Sequence, residues 1–285
     1  MKNILFLLAI SLTFTGFSQK KVAYKIYKSN GKKTSYKKLL KAARKADMVF
    51  FGEEHNNPVA HWLELELTKD LYQSAGKNLI LGAEMMETDN QQQVDEYLSG
   101  KMDYEKLKKE ARLWPNFKTD YKALMDFAKE HHIPFIATNI PRRYASKVYH
   151  GGFQALDTLP DAEKKWIAPL PIKYDKNLPQ YQKMIAMMGG HGGDNLPKAQ
   201  AVKDATMANS ILKYFKKGNL FLHYNGSYHS NFHEGIIWYL HQQNPDLKIL
   251  TIDVETQDNI DKLDPEHKAK GDFIIVTPKE FPRSY

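Results

Sequence analysis

Short apolar runs alternate with amphipathic stretches along most of this 285-residue chain. Val22 to Tyr27 alternates apolar and polar positions and predicts a strand, turned by Ser29-Asn30-Gly31. Ser35 to Ala46 puts Leu39, Leu40 and Ala43 on one helical face. Met48 to Phe51 is a short apolar run of the kind found in strands covered on both faces. Asn57-Pro58 then opens a helix, with a capping side chain followed by proline at the first helical position. That helix runs to about Ser74, and Gly76 stops it. Leu79 to Glu84 predicts the next strand, Asn90 to Leu98, Tyr104 to Ala111 and Thr119 to His131 predict helices, and Pro134 to Thr138 predicts another strand. After a different middle region the alternation resumes. Ala199 to Lys216 and His233 to Gln243 read as helices; Leu220 to Tyr224, Leu247 to Asp253 and Asp272 to Val276 read as strands. Strands separated by helices imply an α/β fold with a mostly parallel central sheet flanked by helices. The middle, about Arg142 to Lys198, carries prolines, Gly-Gly pairs and the run Met184-Ile185-Ala186-Met187-Met188, with no strand pattern. It reads as a helical cap inserted at 142–198.

The chain opens differently. Lys2 precedes an apolar run from Ile4 to Phe14, and small and polar residues follow at Gly16, Ser18 and Gln19. That order predicts a secretory signal peptide over 1–18, cleaved near Ser18 or Gln19, which leaves one domain over 19–285. The run falls short of the roughly 20 apolar residues of a membrane span, and no other stretch approaches that length, so no transmembrane segment is expected. The chain has no cysteine. That excludes a lipidated cysteine anchor, disulfides, thiolate metal sites and covalent haem attachment. A periplasmic or secreted protein held by its core alone is expected. The net charge of +8 is spread along the chain as lysine and accompanies no recognition motif, so no nucleic-acid partner is expected.

Candidate chemistry collects at one place. In open parallel sheets, ligands bind beyond the carboxyl ends of the strands. Gly52-Glu53-Glu54-His55 follows the first buried strand, Glu84 ends the next, Asn139 follows the third, and Asn225-Gly226-Ser227-Tyr228-His229 follows the fourth. Glycine stands three residues before each histidine and allows a sharp turn at the strand end. His55, Glu84 and His229 are therefore expected to share a site. His233 lies four residues after His229, a spacing that suits a shared metal if a helix begins by Ser230.

These residues resemble a known family, the ChaN-like haem-binding proteins of the haem-binding uptake, or Tiki-type, superfamily, which also contains erythromycin esterase-like enzymes. The matching segments occur in family order and span most of the chain. They are Phe51-Gly52-Glu53-Glu54-His55; Gly82-Ala83-Glu84-Met85-Met86 with Gln91-Gln92-Gln93; Ala137-Thr138-Asn139-Ile140-Pro141-Arg142; Ala199-Gln200 with Asp204 and Met207-Ala208; and Gly226-Ser227-Tyr228-His229. The resemblance implies export, non-covalent haem binding with tyrosine ligation, and paired haems at a homodimer interface. The absence of a lipidated cysteine departs from the lipoprotein pattern common in that family.

Two readings of the same residues follow. As a haem- or iron-carrying protein, the chain needs an axial ligand, cations for the propionates and an apolar slot. Arg142, Arg143, Tyr144 and Tyr149 supply cations and phenols, and the methionine-rich helix ending near His191 supplies a further candidate ligand. As a hydrolase, a protease or an esterase, it would hold a divalent metal ion on His55, Glu84 and His229, with His233 a further ligand. Glu53 or Glu54 would then act as general base. Without metal, His55 itself could activate water. The chain offers no G-x-S-x-G nucleophile loop. A binding module with a vestigial site is the third reading.

Overall fold

The computed structural model describes residues 21–187 and 193–285. The predicted signal peptide, Met188 and His191 lie outside the described residues. Eight strands form one sheet: β1 (Lys25–Lys28), β2 (Lys33–Thr34), β3 (Met48–Glu53), β4 (Leu79–Glu87), β5 (Phe135–Asn139), β6 (Leu220–Gly226), β7 (Ile249–Gln257) and β8 (Phe273–Pro278). Their order is β2-β1-β8-β7-β3-β6-β4-β5. Strands β3 to β8 run parallel, and the β1–β2 hairpin adds an antiparallel edge against β8. Helices α1 (Tyr36–Ala43), α2 (Pro58–Ala75), α3 (Gln91–Leu98), α4 (Tyr104–Glu110) and α5 (Lys122–Glu130) follow the early strands. Helices α6 (Arg142–Gly151), α7 (Asp161–Lys164), α8 (Pro179–Met187), α9 (Asn195–Tyr214) and α10 (Ile236–Gln243) follow the later ones.

Alternation along each strand explains the layers, since successive side chains point to opposite faces. Val49, Phe51, Leu81, Ala83, Leu222 and Tyr224 share a core with Leu63 and Leu67 of α2, Val94 of α3 and Leu124 of α5. Met48, Phe50, Ile80 and Phe221 face the other way and pack with Val148 of α6, Val202 and Ile211 of α9, and Leu240 of α10. Both faces are thus buried, and the strands read as apolar runs rather than alternating ones. Asn57 caps α2 as expected, its Oδ1 accepting from the backbone N–H of Val59 and Ala60 at 3.1 and 3.3 Å.

The segment 142–198 contains no strand among its described residues, and part of it packs against the sheet. Tyr144, Ala145, Val148, Leu156, Leu159 and Ile167 all sit in the core of the second face. On α8 the Tyr181 hydroxyl donates to Asp204 of α9. Two helix starts also differ from the sequence expectation. The helix predicted from Thr119 begins as a π-helical turn over Phe117–Tyr121, which carries both Asp120 and Tyr121 inward. The helix predicted from His233 begins at Ile236, because Phe232 and His233 adopt left-handed φ values of 58° and 59° that no α-helix accommodates. No helix among the described residues is long and apolar enough to cross a membrane.

Candidate functional site

Strands β3, β6 and β4 lie side by side, and their carboxyl ends finish together. Glu53 is in register with Gly226, and Ala83 with Tyr224. Side-chain alternation then splits the two carboxylates. Glu53 falls on the face covered by α2, and Glu84 on the face covered by α9. His55, on the turn beyond β3, stands at the edge between them.

Glu84 is buried, and both its oxygens are used. Oε2 accepts the Gly226 N–H at 2.7 Å, and Oε1 lies 3.1 Å from His229 Nε2. The other ring nitrogen, Nδ1, is 2.5 Å from Asp204 Oδ1 on α9. A carboxylate only accepts, so a ring with a carboxylate at each nitrogen requires both protons. Burial alone would lower the proton affinity of His229, but Glu84 and Asp204 outweigh it and push the pKa up to about 9. Burial works to raise Glu84 as well; the charges of His229, His55 and Lys203 win and hold it well below the usual carboxylate range. Asp204 goes the other way: burial keeps it above the ordinary value although His229 opposes this. Glu84 is therefore the firmer anion of the pair. The Gln200 amide nitrogen stands 3.0 and 3.2 Å from the two ring nitrogens.

His55 is held from the opposite side. Its Nδ1 lies 2.7 Å from Glu53 Oε1, and its ring meets Trp114 edge-on at 4.7 Å. Its side chain is 33% exposed, the most open of the group. Burial depresses its proton affinity, but the Glu53 hydrogen bond and the charges of Glu84 and Glu53 raise it above the ordinary histidine value. The free edge of the ring faces Gly226. A Cβ there would sit 2.7 Å from His55 Nε2 and 3.4 Å from Glu84 Oε2, so glycine is what lets these two groups approach across β6. Gly235 has the matching role on the other loop. Its φ is +56°, and a Cβ would meet the His229 carbonyl oxygen at 2.4 Å.

Residues 39–240 match the family described as haem-binding uptake, Tiki superfamily, ChaN. The chain belongs to this family. Its fold is similar to that of ChaN of Campylobacter jejuni, a structure described as cofacial haem binding to ChaN, at 18% identity and a TM-score of 0.67, covering 90% of this chain and 98% of that one. A Bacillus cereus protein of known structure is similar at 11% identity and a TM-score of 0.50, covering 90% and 95% of the two chains. Protein RETICULATA-RELATED 5, chloroplastic, of Arabidopsis thaliana is 28% identical over 144 residues. Those residues are 48% of this chain and only 19% of that protein's length.

Against this ChaN-type fold, the sequence-predicted residues sort into three groups. His55, Glu84 and His229 stand together at the carboxyl edge, with Glu53 directly behind His55. His55, Glu84 and His229 are not a group whose ligand atoms all lie within 4.8 Å of one another. Glu54 and His233 are directed elsewhere. Glu54 meets Thr256, and it lies 2.8 Å from Arg283 and 3.2 Å from Asn57, tying down the C-terminal segment rather than facing His55. His233 Nε2 lies 3.3 Å from Asp272 and 3.2 Å from Thr251, because the left-handed backbone at 232 and 233 swings it off the His229 face.

The third group is on α6. Tyr144 is fully buried, donates its hydroxyl to Glu163 at 2.5 Å and carries Arg143 over its ring, so it is a core residue and not an axial ligand. Arg143 also pairs with Asp89 at 2.7 Å. Arg142 is exposed at the start of the helix, where its backbone N–H meets Glu87. Tyr149 is 40% exposed but lies about 10 Å further along the helix axis than Arg142.

Sequence reasoning gave no site role to four residues of the surroundings: Asp204, named only within a matching segment, and His61, Glu64 and Tyr121. It also passed over Tyr228, whose signal was its place immediately before His229. Tyr228 is 39% exposed on the rim of a cavity of about 190 Å³, together with Phe232 and Lys183.

Proposed function

We propose that this is an exported haem-binding protein that works in haem or iron handling. The observation that carries the reading is membership, over residues 39–240, of the haem-binding uptake family. The residues present fit the group. Non-covalent haem calls for a phenol or imidazole ligand, an aromatic wall and a cation for the propionates. Exposed Tyr228, exposed Phe232 and Lys183, whose Nζ lies 6.0 Å from the Tyr228 ring centroid, offer that set on one rim. Tyr149 is the alternative phenol, and a second copy of the chain would complete a face-to-face haem pair. Bound haem would supply the iron; the chain's own residues would fix its orientation.

One observation favours a second reading, a metal-independent hydrolase. His229 presents a buried cation beside Glu84, and the half-open His55 is anchored by Glu53 with its Nε2 toward the same space. His55 would take a proton from water, and His229 would stabilise developing negative charge.

Ferric haem titrated into the purified protein should give a Soret band displaced from that of free haem. Tyr228→Phe or Tyr149→Phe should alter that spectrum, which would identify the ligand. Absence of binding at micromolar haem, with ester or peptide hydrolysis abolished in His55→Ala, would replace this reading with the second. Export has its own check. The mature protein should begin near Gln19 and appear in the periplasm or medium, and an intact Met1 on the folded cellular protein would overturn it.

A further inference from the structure

Behind His55, on the α2 face of the sheet, lies a cluster of which the readings above use only Glu53, as the anchor of His55. Glu53 ends β3, and His61 and Glu64 stand three apart on the first turns of α2; all three are buried. His61 Nδ1 is 3.2 Å from Glu53 Oε2 and 3.2 Å from Glu64 Oε2. The other ring nitrogen, Nε2, is 3.0 Å from the backbone oxygen of His55 and 3.5 Å from Asp120. A carbonyl oxygen only accepts, so Nε2 carries a proton. Nδ1 is then the nitrogen left to face two acceptor-only carboxylates. Glu53 Oε2 and Glu64 Oε1 are buried without a hydrogen-bond donor, a costly arrangement for carboxylate oxygens. Burial and the Glu53 charge push Glu64 well above the ordinary carboxylate range, so the cluster needs either a proton there or a second cation, and Asp120 adds a third carboxylate on the far side of the ring.

We propose that Glu53, His61 and Glu64 bind a divalent transition-metal ion between β3 and α2, zinc being the best match. One ligand atom from each residue falls within 4.8 Å of the others. His61 Nδ1 stands 3.2 Å from one oxygen of each carboxylate, close to the tetrahedral edge of about 3.3 Å set by a four-coordinate ion with bonds of about 2.0 Å to nitrogen and oxygen. The outer groups also fit. A metal-bound histidine characteristically donates its second N–H to a backbone carbonyl or carboxylate, as His61 does. The remaining oxygen of Glu53, Oε1, is held by the Tyr121 hydroxyl at 2.6 Å and by His55 Nδ1 at 2.7 Å. Calcium takes six to eight oxygen ligands and magnesium keeps several waters, so a buried set of one imidazole and two carboxylates selects a first-row transition metal. The ion would join strand to helix and fix Glu53, the residue that positions His55.

The site is closed, so the ion would enter during folding. The full chain, unfolded with chelator and refolded with zinc or with cobalt, should retain about one ion per chain through gel filtration. Cobalt should give the visible bands of a four-coordinate nitrogen–oxygen site. Glu64→Gln should weaken retention by about tenfold or more, with an unchanged circular dichroism spectrum, while His229→Gln should retain the ion. Refolding in chelator should lower the melting temperature of the wild-type chain. Wild-type protein that refolds equally well in chelator and retains neither metal would overturn the proposal, as would retention lost in His229→Gln and kept in Glu64→Gln. Metal content is measured before any haem is added, so the outcome is independent of the haem reading.

Discussion

Glu84→Ala should lower the unfolding free energy by about 3–5 kcal/mol, seen as a lower denaturant midpoint at unchanged slope. Both Glu84 oxygens are committed inside the protein. Removing them leaves the His229 imidazolium with Asp204 alone and strips the buried Gly226 N–H of its acceptor. Loss of one partner from a buried ion pair costs far more than the pair contributes relative to apolar replacements, because the surviving charge stays desolvated. Asp204 cannot take over fully, since burial already holds it above the ordinary carboxylate value. Glu84→Gln offers a graded comparison. Its amide oxygen can still accept from Gly226, but its amide nitrogen cannot accept from His229. It should fall between wild type and alanine. Equal midpoints for wild type and Glu84→Ala would show that the charges are not buried as described.

The parts of this arrangement that could be read in the sequence are local ones. Apolar runs mark β3, β4 and β6 because both sheet faces are covered, and Asn57-Pro58 marks α2 because capping depends on neighbouring residues alone. The edge carrying His55, Glu84 and His229 follows from strand direction. What escaped depends on tertiary docking. Asp204 lies on α9 among Ala201, Val202, Ala205 and Ala208, where one acid in a buried helix gives no hint of its partner. His61 and Glu64 look like ordinary helix polarity until β3 places Glu53 against them. The His229–His233 pairing failed for a backbone reason, the left-handed residues before Gly235. Tyr144 failed for a packing one: arginine beside tyrosine at a helix start resembles a ligand site, yet α6 turns that phenol into the core. In the segment 142–198, proline and glycine density reveals irregular chain but not the Leu156, Leu159 and Ile167 contacts that anchor it.

Stability should decline as pH rises from about 6.5 to 9, and His229 should account for much of the decline. In the unfolded chain a histidine loses its proton near 6.5. In the folded chain His229 keeps it to about 9, because Glu84 and Asp204 overcome the opposing effect of burial. Between those values the folded state binds one more proton than the unfolded state. Unfolding then releases a proton, and higher pH favours it. The contribution is fully present below 6.5 and gone above the folded value, with a span on the order of 3 kcal/mol. His55, also raised, acts in the same direction. His61 would do so too if a proton rather than the proposed ion occupied its Nδ1. The informative quantity is therefore the difference between wild type and His229→Gln, measured as denaturant midpoints across the window. That difference should shrink as pH rises toward 9. Glu84 behaves oppositely on the acid side: held well below its ordinary range, it contributes stability that is present above about 4.5 and lost as pH falls through its folded value. A wild-type minus His229→Gln difference that stays flat from 6.5 to 9 would mean that His229 is neutral in the fold, and the buried cation beside Glu84 would have to be abandoned.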